Sequence, residues 1–389
     1  MLADQSVGLE ELGMFEGRQI PFWSLDEWHA RSAPQGLSLA QLECLASFGV
    51  LAPTSHNTVP QRFRLRPERS SLEILVDRDF VLPESDPKGR QAAVSIGCVI
   101  TNIELAAGVF GRATNVRGLL TNEDALQPAP TSETYDRYVP VVELRFEHPR
   151  PALDADWLGT MLAHKVVRAE YDTAVPLPEE LAARVAQIVE DSSPAPLALK
   201  AHLLSGAFPL RALGKFQEQA DRFVLENPRF AKELGAWLLP NTDTARPLGM
   251  RGAEFGFDDA FSEQVHSGLV GRTRLLPDQI AAFAKGGKVG LESSSAVVVL
   301  TTDGDDVSRR LAAGRACHRI SLELQRAGFA SAYHAALTEV EWVARMFSAT
   351  LLRSTRRPMV LLRVGRPKRA ADAARPPAAR PALATLVLS

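Results

Sequence analysis

Apolar positions recur along this chain with two periods, and the two patterns alternate. In SIGCVITNIELAAGVFG, apolar residues between Gly97 and Gly111, Ile103 and Leu105 among them, fall at helical spacing. A glycine just past the last periodic residue is the usual left-handed stop of a helix. The segment AGRACHRISLELQRAGF repeats the arrangement, with Gly314 and Gly328 at the same separation and Ile320 and Leu322 between them. Both segments predict long buried helices. LEILVD (Leu72 to Asp77) precedes the first and AVVVLTT (Ala296 to Thr302) the second, while VVELR (Val141 to Arg145) and MVLLR (Met359 to Arg363) follow them; all four read as strands. Each half also opens with an amphipathic helix, SLAQLECLASFGVLAP and LPEELAARVAQIVEDSSP, the latter started by Pro178 and two carboxylates. The pattern predicts an α+β fold, internally duplicated as an intramolecular pseudo-dimer with halves at 1–155 and 156–389.

The region from about Pro209 to Ser295 has no counterpart in the first half. It holds a helical stretch around Phe216 to Leu238, the turn-rich PNTDTARPLGMRGAEFGFDD and the glycine-rich KGGKVG. An insertion of this size predicts a lid over a cleft, with Gly286 to Gly290 and the polar segment from Asn241 to Phe257 mobile. The tail beyond Gly365 is rich in Pro, Ala and Arg and reads as extended, with ALATLVL able to dock on the other half.

Composition narrows the function classes. The 389 residues carry 44 Lys+Arg against 46 Asp+Glu, a net charge of −2, so no global basic field draws the chain to nucleic acid or anionic lipid. No uninterrupted apolar run approaches the ~20 residues of a membrane span, and the acidic N-terminal stretch lacks the basic start of a signal peptide. Cys44, Cys98 and Cys317 are too few and scattered for a disulfide framework. The expectation is a cytoplasmic protein.

Two segments carry candidate chemistry. APTSHNTVPQRFRL, Ala52 to Leu65, places Pro53, Thr54, Ser55 and Asn57 in a turn between a helix and a strand. Short polar side chains and free backbone N–H groups suit the edge of a heteroaromatic ring; a helix-stop turn capped by Asn57 explains them as well. In AHKVVRAEYD, His164, Lys165 and Arg168 stand three and four apart, which on a helix would share one face and hold a phosphate, or form a solvated surface run. Arg380, in RPPAARPA, is a further cation for the same site or a solvated part of the tail. KGGKVG lacks the first Gly and the final Ser/Thr of a phosphate loop, no GxGxxG follows a strand, and Cys317–His318 has no partners at zinc spacing.

Together these residues resemble the FMN-dependent nitroreductase family, in particular its single-chain, internally duplicated Acg-like branch. APTSHNTVPQRFRL is similar to that branch's APSxHNTQPWRFxV turn, SDPKGR to its DPxGR loop, HKVVRAEYD to its RRTNRRPF segment, and ARPPAARPAL to a tail whose Arg approaches the flavin phosphate. The resemblance spans about Leu39 to Leu388. It implies a nitroreductase-like fold and FMN at the interface of the halves, with Pro53, Thr54, Ser55 and Asn57 on the ring and His164, Lys165, Arg168 and Arg380 on the phosphate. Val59 and Gln61 stand where the family has Gln and Trp, and His164, Lys165 and Val166 where it has Arg, Arg and Thr. The second half offers SSPAPLALKAHLL, without Asn, and the N-terminal IPFWSLDEWHARS lacks the basic cluster, so one complete and one degenerate site are expected per chain.

The implied function is an FMN-dependent oxidoreductase passing hydride or electrons between a reduced nicotinamide or small organic molecule and flavin. A biosynthetic flavin oxidase or desaturase and a non-catalytic FMN-sequestering protein are the alternatives. The expected partner is a small-molecule substrate, with NAD(P)H as one candidate, without nucleic acid or membrane, in a monomer or weak homodimer.

Overall fold

A computed structural model describes residues 27–28, 36–120, 122–130, 135–192, 197–271 and 275–388. The N-terminal stretch, most of IPFWSLDEWHARS and residues 193–196 of SSPAPLALKAHLL lie outside the described residues, so the comparison that marked the second site as degenerate rests on sequence alone.

The fold is mixed α and β, with two four-stranded antiparallel sheets. The first contains β1 (Gln61–Arg66), β2 (Ser71–Asp77), β3 (Arg112–Gly118) and β4 (Tyr138–Pro149), in the order β1-β2-β4-β3. The second contains β5 (Lys200–Ser205), β8 (Ala296–Thr302), β9 (Ala330–Tyr333) and β10 (Arg357–Gly365), in the order β5-β8-β10-β9, while β6 (Leu238–Leu239) and β7 (Met250–Arg251) form a short parallel pair apart. Counted from each sheet's first strand, the two orders are the same. The Val-rich β8 is buried along its whole length, which is why it reads as a continuous apolar run rather than an alternating one.

Helices α1 (Leu39–Val50), α2 (Arg90–Val109), α3 (Asp156–Ala163) and α4 (Glu179–Asp191) belong to the first 191 residues. Next come α5 (Ala207–Leu225), α6 (Pro228–Trp237), α7 (Asp259–Gly271), α8 (Pro277–Glu292) and α9 (Val307–Arg326). Short α10 (Ala336–Glu339), α11 (Glu341–Thr350) and short α12 (Ala370–Ala373) complete the chain. Gly111 and Gly328, at φ 71° and 77°, follow α2 and α9 in the left-handed conformation expected of helix-stop glycines.

Helices α2 and α9 cross at Gly97 and Gly314. A Cβ on Gly97 would lie 2.8 Å from the Gly314 Cα, and one on Gly314 would come within 3.0 Å of the Val94 carbonyl, so only glycine allows the two backbones this close. Around the crossing, Ile96, Ile100 and Ile103 join Ala313, Ala316 and Ile320 in one buried cluster that includes residues of both four-stranded sheets. By length and mean hydropathy (1.7) α2 would pass for a membrane span, contrary to the sequence expectation that no segment would, yet 89% of that stretch is buried inside the protein. Cys44, Cys98 and Cys317 are free and buried.

The insertion departs from its expected form. KGGKVG lies within α8, where two of its three glycines meet other elements: Gly287 faces Gln217 and Asp221 of α5, and Gly290 faces the Arg363 guanidinium. The expected mobile glycine loop is therefore a helical wall. The tail crosses to the first sheet, where Phe63 N donates to Leu386 O (2.9 Å) and Leu388 N to Phe63 O (2.8 Å) on the edge of β1.

Candidate functional site

A cavity of about 1110 Å³ opens between the turn at residues 53–56, the start of α2, the non-helical segment around Arg168, and the wall formed by α5 and α8. Its size exceeds the ~300–1,000 Å³ of a typical ligand pocket, leaving room for a cofactor and a second molecule.

The turn at the cavity edge is held in an uncommon backbone conformation. His56, Asn57 and Val59 have φ of 47°, 53° and 51°, and a β-branched residue such as Val59 rarely adopts a positive φ. Strain of this kind persists only where the surroundings over-determine it, and it concentrates at functional sites. Here Thr54 Oγ1 accepts from Val59 N at 3.1 Å, Ser95 Oγ of α2 accepts from Ser55 N at 3.1 Å, and Ser55 Oγ donates to the Gln91 side chain. Pro53, Thr54, Ser55 and His56 all line the cavity.

Asn57 does not line it. Its Nδ2 donates to Gly249 O (3.0 Å) and Ala379 O (3.3 Å), and its Oδ1 accepts from Arg380 Nη1 at 2.6 Å. Arg380 in turn donates to the carbonyls of Val50, Leu51 and Ala52, covering the C-terminal end of α1, where a cation complements the helix dipole. Asn57 and Arg380 thus meet each other, away from the cavity lining.

The cation cluster is split for a physical reason. Residues 164–168 lie past the end of α3 and are in no helix, so spacings of three and four do not put the side chains on one face. Lys165 Nζ donates to the carbonyls of Ala373 and Arg375 at 2.5 Å each. His164 is buried, bonds Ser321 Oγ at 2.8 Å and stands edge-on to His318; burial, helped by the Arg380 charge, pulls it down to about 3 and keeps it neutral. Arg168, with Val166 beside it, reaches the cavity. Its guanidinium pairs with Glu254 Oε2 at 3.1 Å and lies 4.7 Å from the centre of the Phe255 ring.

His56 and Arg168 are electrostatic neighbours although they are 112 positions apart in sequence. Burial first, then the Arg168 charge, pulls the His56 imidazole down to about 4, so the ring is neutral near pH 7. Its Nδ1 is buried without a hydrogen-bond partner. Arg363 adds a second cation: it is 1% exposed, stacks 4.2 Å from the centre of the Tyr171 ring, and donates to the carbonyls of Gly290 and Ala169 at 3.0 and 2.9 Å, while its Nε has no partner. Among the described residues no carboxylate forms an ion pair with Arg363. A buried guanidinium held only by carbonyls puts a positive charge without an acidic partner at this point of the cavity lining.

The sequence reading passed over His56, Gln91, Ser95, Arg363 and the α5 residues Gln217 and Asp221. His56 sat inside a quoted motif, and its position among positive-φ residues was the missing signal. Arg363 had no signal, because an Arg closing the apolar run MVLLR reads as the solvent end of a strand.

No protein-family model matches the sequence, and no curated protein matches it. Among solved structures, the fold is similar to FMN-dependent nitroreductases. NfnB from Mycobacterium smegmatis, in complex with NADPH, is 15% identical with a TM-score of 0.39 over 59% of this chain and 96% of that one. A nitroreductase with bound FMN from Desulfitobacterium hafniense is 13% identical with a TM-score of 0.35, over 58% and 94%. The NADPH:FMN oxidoreductase of Vibrio harveyi, complexed with NAD+, is 12% identical with a TM-score of 0.33, over 58% and 71%. At these scores the likeness assigns no role to any residue.

Proposed function

We propose that the chain is a flavin-dependent oxidoreductase, built as an intramolecular pseudo-dimer, that binds FMN between its halves and acts on a small organic molecule. One observation carries this reading: a strained turn of the first half and Arg168 of the second converge on one large cavity, close enough for the Arg168 charge to act on His56.

The residues present fit a flavin. Ser55 and the backbone around it offer donors and acceptors to a heteroaromatic edge, the orphaned His56 Nδ1 offers another, and the Arg168 and Arg363 charges suit an anionic ring or phosphate. When bound, FMN would supply hydride and electron transfer. The chain's own residues position it: Gln91 and Ser95 fix the turn, neutral His56 directs a hydrogen bond without adding charge, and Arg168 balances negative charge. The site proposal therefore centres on Pro53, Thr54, Ser55, His56 and Arg168. His164, Lys165, Asn57 and Arg380 support it from outside the cavity lining. Phe230, Phe255, Phe257 and Phe283 on the insertion line the same space and favour an apolar organic substrate, which supports the oxidase or desaturase variant.

Two titrations test this. Purified protein mixed with FMN should show a perturbed flavin spectrum. Arg168→Ala should weaken FMN binding by roughly 10- to 150-fold, the worth of a charge-assisted hydrogen bond, and riboflavin far less if the guanidinium meets the phosphate. Equal losses for both flavins would move Arg168 to the ring; an unchanged FMN affinity defeats the site. Anaerobic mixing with NADH or NADPH then separates a nicotinamide-driven enzyme, whose flavin bleaches, from one reduced by its organic substrate.

A further inference from the structure

The insertion wall carries polar groups that the flavin reading does not use. Asp221 and Gln217 stand one turn apart on α5, are 6% and 4% exposed, and both line the cavity. Gln217 Nε2 donates to Asp221 Oδ1 at 2.7 Å. That bond fixes the amide, since turning it over would set an oxygen against the carboxylate, and it leaves Gln217 Oε1 buried with no partner. Among the described residues no Lys, Arg or His pairs with Asp221. Gly287 of α8 faces the carboxylate so closely that a Cβ there would collide with Asp221 Oδ2, and next to it Gly286 has nothing within 4 Å of a would-be Cβ. A buried carboxylate and a buried, unsatisfied amide oxygen therefore sit together at the edge of open space, both needing donors.

We propose that this pair is an ammonium subsite, and that the substrate is an apolar, aromatic-sized molecule bearing a protonated primary amine. A primary ammonium has three N–H donors and a single positive charge. It can satisfy Asp221 and Gln217 Oε1 together, and it supplies the counter-charge that the carboxylate otherwise lacks. A neutral donor would satisfy the hydrogen bonds without the charge. Phe230 and Phe283 among the lining residues accommodate the apolar stem. The proposal rests on the flavin reading only for what happens to the bound molecule, because recognition of the amine requires no flavin.

The test uses the full chain and two probes of similar shape, 2-phenylethylamine and 2-phenylethanol, titrated by calorimetry at about pH 8, where the amine is protonated and Asp221 is mostly ionised. The amine should bind roughly tenfold tighter or better than the alcohol. Asp221→Asn keeps the shape and the Gln217 bond and should bring that ratio close to one, while Gln217→Met should reduce it in part. Equal affinities in the wild type, no binding of the amine, or a preference that survives Asp221→Asn would each overturn the proposal. Flavin absorbance recorded on the same samples separates the two readings: amine preference without flavin supports the subsite and rejects the cofactor, and flavin without amine preference does the reverse.

Discussion

Replacing Asp221 by Asn removes a proton site while leaving the side chain's shape and its bond from Gln217 in place, so it isolates the electrostatic cost of this buried carboxylate. Burial pushes Asp221 up from an ordinary 3.8 to about 7, opposed only by the Gln217 hydrogen bond. A carboxyl whose folded pKa is raised contributes stability that is fully present below the unfolded pKa and is lost as pH rises through the folded one. The span is roughly three pH units at 1.36 kcal/mol each, so wild type should lose about 4 kcal/mol of stability from this group between about pH 4 and pH 8. Asp221→Asn loses nothing from it. The assay is urea unfolding of both proteins across that range in an amine-free buffer, plotted as the stability difference against pH. The variant should gain on wild type steadily from about pH 4 and level off above about pH 7. A flat difference would refute the reasoning, because it would mean that Asp221 is already solvated or paired when folded.

Gly314→Ala should destabilise by about 3 kcal/mol or more, at or beyond the upper end of ordinary overpacking, since its Cβ meets the backbone of α2 rather than a movable side chain; an unchanged melting temperature would refute the tight crossing. Arg380→Ala should free the tail, seen as faster amide exchange at Phe63 and Leu388 with the interior of α2 unaffected. Amides of Gly286 to Gly290 should be protected without any ligand, because they lie in α8, and loop-like exchange there would overturn the helical wall.

The strands and long helices were legible because their apolar periods are strong and their ends carry conventional signals. Ala296 to Thr302 is the same segment in sequence and structure, and Gly111 and Gly328 stop their helices as expected. KGGKVG was misleading, because glycine marks both a flexible loop and a helix surface pressed against its neighbours; only the partners, Asp221 and Arg363, distinguish the two. His164, Lys165 and Arg168 were misleading in another way. Their spacing implied a shared face only if the segment were helical; outside any helix, Lys165 reaches the carbonyls of Ala373 and Arg375 while Arg168 reaches the cavity. The Ser55 turn was located correctly, whereas the burial of Asp221 and Gln217 depends on how α5 meets α8, which no local pattern encodes.

The tail that seals the edge of β1 and caps α1 has a bearing on when the protein becomes competent. A ribosome adds about 5–20 residues per second, so Phe63 emerges on the order of tens of seconds before Leu386 and Leu388 can bond to it. Over that interval α1 lacks its Arg380 cap, Asn57 lacks its Arg380 partner, and the turn bearing Ser55 is anchored from α2 and, once it has emerged, from Gly249, but not from the tail. A nascent chain holding the whole first sheet would still present this turn without its tail contacts. Completion of that turn's contacts is thereby coupled to the emergence of residues 380–388, which makes the tail a timing element of folding as well as a strap.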